Sequence, residues 1–301
     1  MSARARIVGL DIARSLAIIG MIVLHMANLL WSTKVVLSGL PAAGFAIIAG
    51  TTTMILARDY SLRVFLRLVA RGCLVMLLGV ALLPVGGEIQ VVLVVMGAAM
   101  ALTAWVPPLA TAWKVVLFAL ATAAATVLYA PYTLPQVYPL VAFLAYLVAG
   151  MLLYDVYLTR PRRTHTIVTA VAVVVAGIGL WQRFNPSIPG WLRFTGHTGV
   201  LGEILLSVAV TALVLHLCLV LGRALPRLTF PFAALGSMSL TIYILHILTA
   251  RYWQAHVSLH NTMAAAGFVL AFLVLSALWR TFFGKGPAER AVAWAVKEVA
   301  A

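Results

Sequence analysis

A run of about 20 mainly apolar residues is long enough to cross the hydrocarbon core of a bilayer as one helix. This sequence carries ten such runs, at approximately 12–31, 37–57, 64–83, 89–106, 111–130, 136–157, 166–182, 200–221, 231–252 and 263–283. Turn-forming stretches such as "LPVGGE", "WVPPLA", "APYTLPQ" and "FNPSIPG" separate them. Of the 301 residues, 64% are hydrophobic and 9% charged, against roughly 25% charged in soluble domains. No polar stretch is long enough for a separate domain. The expected fold is all-α: one polytopic membrane helix bundle over residues 1–301, with about ten transmembrane helices.

The net charge of +14 would point to nucleic acid in a soluble protein. Here its distribution gives it another meaning. With a cytoplasmic N-terminus and strict alternation, the cytoplasmic segments receive Arg4, Arg6, Arg58, Arg63, Arg67, Arg71, Lys114, Arg160, Arg162, Arg163, Arg223, Arg227, Arg280, Lys285, Arg290 and Lys297. The outer segments receive Lys34, Arg183, Arg193 and Arg251. That is the positive-inside pattern, so both termini are expected in the cytoplasm of a cell whose plasma membrane holds the chain, with lipid rather than nucleic acid as partner. Trp31, Trp181, Trp191 and Trp253 fall at expected outer ends, as an aromatic belt would place them. No small-residue cleavage site follows the first run, which is read as a retained helix. Cys73 and Cys218 sit in apolar runs as small hydrophobes. No repeat of fixed period and no strong metal-ligand spacing occurs; His256 and His260 form only a weak pair in an outer loop.

Ionisable residues inside a membrane are costly and point to function. The first run holds Asp11, Arg14 and His25, with Asn28 behind. Eleven residues make three helical turns plus about 20°, so Arg14 and His25 share a face about 16 Å apart along the axis. Asp11 and Asn28, each three residues away, extend that face into a polar stripe. In the ninth run Ser239, Tyr243 and His246 also share a face, with His246 at a depth comparable to His25. Ser237 and Thr241 read as interhelical glue, and "GTTTM" at 50–54 as a close-packing element. Glu203, behind "RFTGHTG", is expected either to pair with Arg193 or His197 or to bind a polar compound at the outer face. Arg63, Arg67 and Arg71 recur every four residues; they serve as topological anchors or hold an anion.

These motifs carry a resemblance. "LDIARSLAIIGMIVLH" resembles the first-helix signature of the transmembrane acyltransferase superfamily, which includes heparan-α-glucosaminide N-acetyltransferase and bacterial envelope O-acyltransferases. Asp11, Arg14 and His25 match its pattern; Ser15 stands where many members have glycine. "FAIIAGTTTMILAR" resembles a second-helix phrase of the N-acetyltransferase branch. "GSMSLTIYILH" and "FFGKGPAERAVAWAV" resemble the C-terminal part of a poorly characterised bacterial membrane family grouped with it.

The resemblance implies transfer of an acyl group, usually acetyl, from cytoplasmic acyl-CoA to a hydroxyl or amine of a sugar, glycolipid or envelope glycan. Acyl-CoA would be a donor substrate, with no permanently bound cofactor. His25 would act as catalytic base, with His246 and Tyr243 assisting. Arg14, Asp11, Arg63 and Arg67 would hold the donor, and Asn28, His197, Glu203 and Ser239 the acceptor. A homodimer is a further expectation left open. The alternative from the residues alone is a transporter or flippase for a lipid-linked or small polar solute.

Overall fold

Without water to satisfy backbone polar groups, a chain in lipid closes its hydrogen bonds within helices. The computed structural model describes residues 6–131, 137–257 and 260–299, and these form helices joined by turns, with no strand among them. In chain order the helices are α1 Val8–Met26, α2 Trp31–Leu37, α3 Leu40–Leu56, α4 Leu62–Leu82, α5 Leu93–Leu102, α6 Thr111–Tyr129 and α7 Leu140–Tyr154. They continue as α8 Arg162–Gln182, α9 Leu201–Ala224, α10 Phe230–Ser237, α11 Ser239–His256, α12 Thr262–Phe283 and α13 Pro287–Val299. Arg4 and most of the turn expected at 130–136 lie outside the described residues.

Among the described residues, eight helices are long and apolar enough to cross a membrane, or nine if the α10–α11 pair counts as one span. The expectation of about ten is corrected at two places. The run at 89–106 forms only the ten-residue α5. The chain nevertheless returns along α4: Gly79 faces Leu93 and Val94, Gly72 faces Ala101, and the Tyr60 hydroxyl donates to the Ala104 carbonyl at 3.0 Å. The run at 231–252 breaks at Met238, with α10 and α11 bent by 82°. Ser237 bonds back to the Ala234 carbonyl at 2.7 Å, and a Cβ on Gly236 would lie 1.7 Å from the Asp11 carbonyl oxygen. The hydroxyl competes for the helix ladder, and only glycine permits the close approach of α10 to α1.

A second correction concerns α1, which stops at Met26 because Ala27 turns extended (ψ 145°). Asn28 therefore lies off the helix. It is exposed, and its backbone N–H and carbonyl both bond the Thr262 hydroxyl at 3.1 Å.

The middle of the bundle is α1, α3, α7 and α9. In the apolar window of α7, 72% of residues are buried, against 17% for α6, α8 and α12, which are peripheral. Small residues bring α3 and α7 together: a Cβ on Gly150 would lie 1.8 Å from the Ile47 carbonyl oxygen, and Thr51 donates to the Gly150 carbonyl at 2.8 Å. The packing role expected for "GTTTM" is present. Both described termini lie at one end of the bundle, since α13 packs on α4 and α11 and its Glu289 shares a cavity with Arg14. That end is called the near end below. The α1–α2 connection, Tyr138 and the start of α9 mark the far end.

Candidate functional site

Polar residues gather at three levels. At the near end Asp11 sits in the first turn of α1, 3% exposed, where a helix N-terminus favours a carboxylate. It pairs with Arg6 and with Arg14, whose Nη1 donates to Oδ1 at 2.5 Å. Nη2 of Arg14 donates to the Thr52 hydroxyl at 2.7 Å. This guanidinium is thus held flat between α1 and α3, on the wall of a cavity of about 170 Å³. Arg71, Ser237, Ser239 and Glu289 also line it.

Several expectations change here. Asp11 does not line the cavity and acts through the arginines it holds. Of the arginine ladder only Arg71 reaches the cavity; Arg63 is exposed and Arg67 half-buried, and neither lines it. Four residues make about 400°, so the ladder turns about 40° per step, and Arg63 lies about 80° around and 12 Å along the helix from Arg71. Ser239, expected on the acceptor side, belongs to this near-end cavity instead.

Two members carried no local signal. Thr52 looked like its packing neighbours. Glu289 lies 49 and 48 residues beyond the groups it meets: it accepts from the Leu240 N–H at 2.7 Å and the Thr241 hydroxyl at 2.6 Å. Because α11 starts after a break inside the bundle, its first N–H groups have no helical partners. The Glu289 carboxylate satisfies them.

At mid-depth His25 and His246 meet. Their ring centroids are 5.8 Å apart and their planes within 7°. The Tyr243 ring packs edge-on against His246 at 5.2 Å. His246 is fully buried, and neither of its ring nitrogens bonds a protein group. Nδ1 of His25 is likewise buried and unpartnered. The juxtaposition expected from equal depth is present, but the contact is ring against ring rather than a hydrogen bond. Tyr243 also has a structural bond. Its hydroxyl oxygen accepts the Val92 N–H at 3.1 Å, which satisfies the start of α5, and it lines neither main cavity.

At the far end His25 lines a second cavity of about 280 Å³ with Lys34, Ser38, Tyr138 and His197. His197 has φ 64°, a left-handed conformation uncommon outside glycine. Two bonds hold it there: its backbone N–H donates to Glu203 Oε1 at 2.8 Å, and ring Nδ1 lies 2.7 Å from the Val137 carbonyl oxygen. A carbonyl only accepts, so Nδ1 carries the hydrogen, and in the neutral imidazole Nε2 is the acceptor. Burial pushes the Tyr138 phenol up to about 12, so it stays a donor, and it bonds the Gln90 carbonyl at 3.1 Å.

Of the two alternatives for Glu203, the structure shows the pairing with His197, as organiser of the loop. It is 3% exposed and also takes the N–H groups of Thr198 and Gly199, both at 2.7 Å, and the Thr198 hydroxyl at 3.0 Å. Neither Glu203 nor Asn28 lines the 280 Å³ cavity. Arg183 has a comparable structural task, since its Nη1 donates to the carbonyls of Val35, Val36 and Ser38 at the end of α2.

The two cavities share no lining residue. Between Arg14 and His25 the face of α1 is filled by Ile18 and Met21, both buried. The polar stripe is therefore two polar ends with an apolar middle. Among the described residues no group of three or more His, Cys, Asp or Glu could hold a metal ion.

Residues 157–297 match the family model described as Protein of unknown function (DUF418). The match runs from just beyond α7 through most of α13. It takes in His197, Glu203, Tyr243, His246 and Glu289 but neither Arg14 nor His25. No curated protein matches the chain.

Proposed function

We propose that this membrane protein transfers an acyl group, most simply acetyl, from a cytoplasmic acyl-CoA to a hydroxyl or amine at the opposite face. The observation that carries the reading is the position of His25. It opens onto the far-end cavity and stacks on His246, while the other end of the same helix presents Arg14 to a cationic near-end cavity. The excess of basic residues at the near end supports its being cytoplasmic, and the resemblance of "LDIARSLAIIGMIVLH" supports the chemistry.

Arg14 and Arg71 suit the phosphates of the donor. The thioester arm would extend past Ile18 and Met21, an apolar stretch that suits an acyl chain better than a phosphate. An imidazole is suited to take and release a proton near neutral pH. His25 takes the proton of the acceptor, the new C–O or C–N bond forms as the C–S bond breaks, and the CoA thiolate leaves to be protonated. His246 backs the ring of His25, and the loop at His197 forms the acceptor side. The acceptor class that fits a bacterial-type membrane acyltransferase is a sugar, glycolipid or envelope glycan.

The test is purified protein with radiolabelled acetyl-CoA and envelope glycolipids, comparing wild type with His25→Ala. Label transfer retained in the variant would overturn the reading. A transporter is the second reading. It is favoured by two cavities at opposite ends and by the break between α10 and α11, features that alternating access uses. Thermal stabilisation by acetyl-CoA supports the enzyme; its absence together with counter-ion-dependent uptake supports the transporter.

A further inference from the structure

Lys34 has no role in the preceding account. It projects from α2, a seven-residue helix with no buried residue that crosses the far end. It lines the 280 Å³ cavity and is the one fixed charge among the side chains that do so. It makes no ion pair among the described residues.

A lysine in the last turn of a helix commonly serves the helix's own carbonyls. That explanation is already used up here, because Arg183 donates to the carbonyls of Val35, Val36 and Ser38 at 2.6, 2.8 and 2.9 Å. The same three bonds pin α2, so Lys34 is held over the cavity although its helix is exposed. The carboxylate that organises the far-end loop does not answer it. Glu203 is buried, spends both oxygens on the 197–199 loop and lines only the adjoining small cavity.

His197 is the complementary group. Its left-handed backbone is maintained by Glu203 and its tautomer by Val137. The result is an imidazole whose remaining nitrogen accepts a hydrogen bond. A cation and an acceptor on the walls of one cavity, beside His25, together suit a compound with an anionic group and more than one hydroxyl.

Building on the acyl-transfer reading, we propose that the far-end cavity takes an anionic polyhydroxylated acceptor. Lys34 binds its charged group, and His197 positions it by accepting a hydrogen bond from a hydroxyl next to the one that reacts. The anion could be supplied by a soluble sugar phosphate or by a lipid headgroup, and the test separates them. Native mass spectrometry of the detergent-purified protein would measure binding of glucose against glucose 6-phosphate, and of phosphatidylglycerol against phosphatidylcholine.

At least one anionic probe is expected to bind about tenfold more tightly than its neutral counterpart, the size of one charge-assisted hydrogen bond. In Lys34→Gln that preference should shrink to about twofold or less. His197→Phe should weaken the preferred probe, and His197→Gln, which keeps an acceptor, should restore most of the binding. Equal binding of charged and neutral probes, no binding of either anionic probe, or a preference unchanged in Lys34→Gln would each overturn the proposal. Acetyl-CoA binding to the same preparations separates this from the parent reading. If acetyl-CoA fails to bind while the Lys34-dependent preference persists, the acyl-transfer reading falls and the anion site stands; the reverse result removes the anion site alone.

Discussion

The two cavities at the ends of α1 solve different problems. At the near end charge is abundant and is organised by charge: Asp11 holds Arg6 and Arg14, Thr52 braces Arg14, and Glu289 caps α11 on the opposite wall. At the far end the lining is almost entirely neutral. Two imidazoles, a phenol and a hydroxyl surround one lysine, and the acidic residue nearby is occupied with backbone N–H groups. Ion pairs fix a guanidinium in place and suit binding of a charged group that arrives and leaves unchanged. Imidazole nitrogens that bond no protein group are suited to moving protons. On the acyl-transfer proposal, the difference between binding and chemistry corresponds to which groups are paired with protein and which are left for a ligand.

The comparison can be broken by substitution. The largest effect is expected from His25→Ala: acyl transfer should fall by about a hundred- to ten-thousandfold, as loss of a general base does. Melting temperature and acetyl-CoA affinity should stay near wild type. A variant that loses donor binding as well would mean the two ends are not separable. Next comes Arg14→Gln, for which acetyl-CoA affinity should drop about ten- to a hundredfold, the scale of a hydrogen bond to a charged group. Titrating the melting temperature against acetyl-CoA measures it, and an unchanged midpoint shift would remove Arg14 from the donor site.

Glu203→Ala should act on the far end alone. Four lost hydrogen bonds, with donors left buried, should cost about 2–3 kcal/mol and lower the melting temperature by about 5–10 °C. Acetyl-CoA affinity should be unaffected; a parallel loss would show that the His197 loop communicates with the near end. The smallest contrast lies within one helix. Arg71→Ala should weaken donor binding several-fold, whereas Arg63→Ala, with its side chain outside the cavity, should change it less than about twofold. Equal effects would indicate a diffuse basic surface rather than a cavity.

How much of this was legible in the sequence follows from the range of each interaction. Helical geometry is local, so the shared face of Arg14 and His25 could be computed from their spacing. The depth of His246 followed from its distance to the start of its run, and the two rings do meet. Three local inferences failed for local reasons that pattern alone does not show. Helix α1 ends five residues early and releases Asn28, α11 begins only after a break at Met238, and the arginine ladder winds out of register with the cavity.

Sequence by itself determined that the chain is a helical membrane bundle. It raised the expectation that positive charge is concentrated at one end, and it placed two histidines at comparable depth. These follow from apolar run length, charge bias and the 3.6-residue turn, none of which needs a neighbour. Tertiary structure alone decided which polar groups are spent and which are free. Glu203 and Tyr243 are, like His25 and Lys34, polar side chains in or beside apolar runs. In the folded molecule the first two accept backbone N–H groups, of the 197–199 loop and of Val92 before α5. The physical reason is that a buried hydrogen-bonding group takes whatever partner the packing brings, and packing joins segments such as Leu240 and Glu289 across 49 residues of chain.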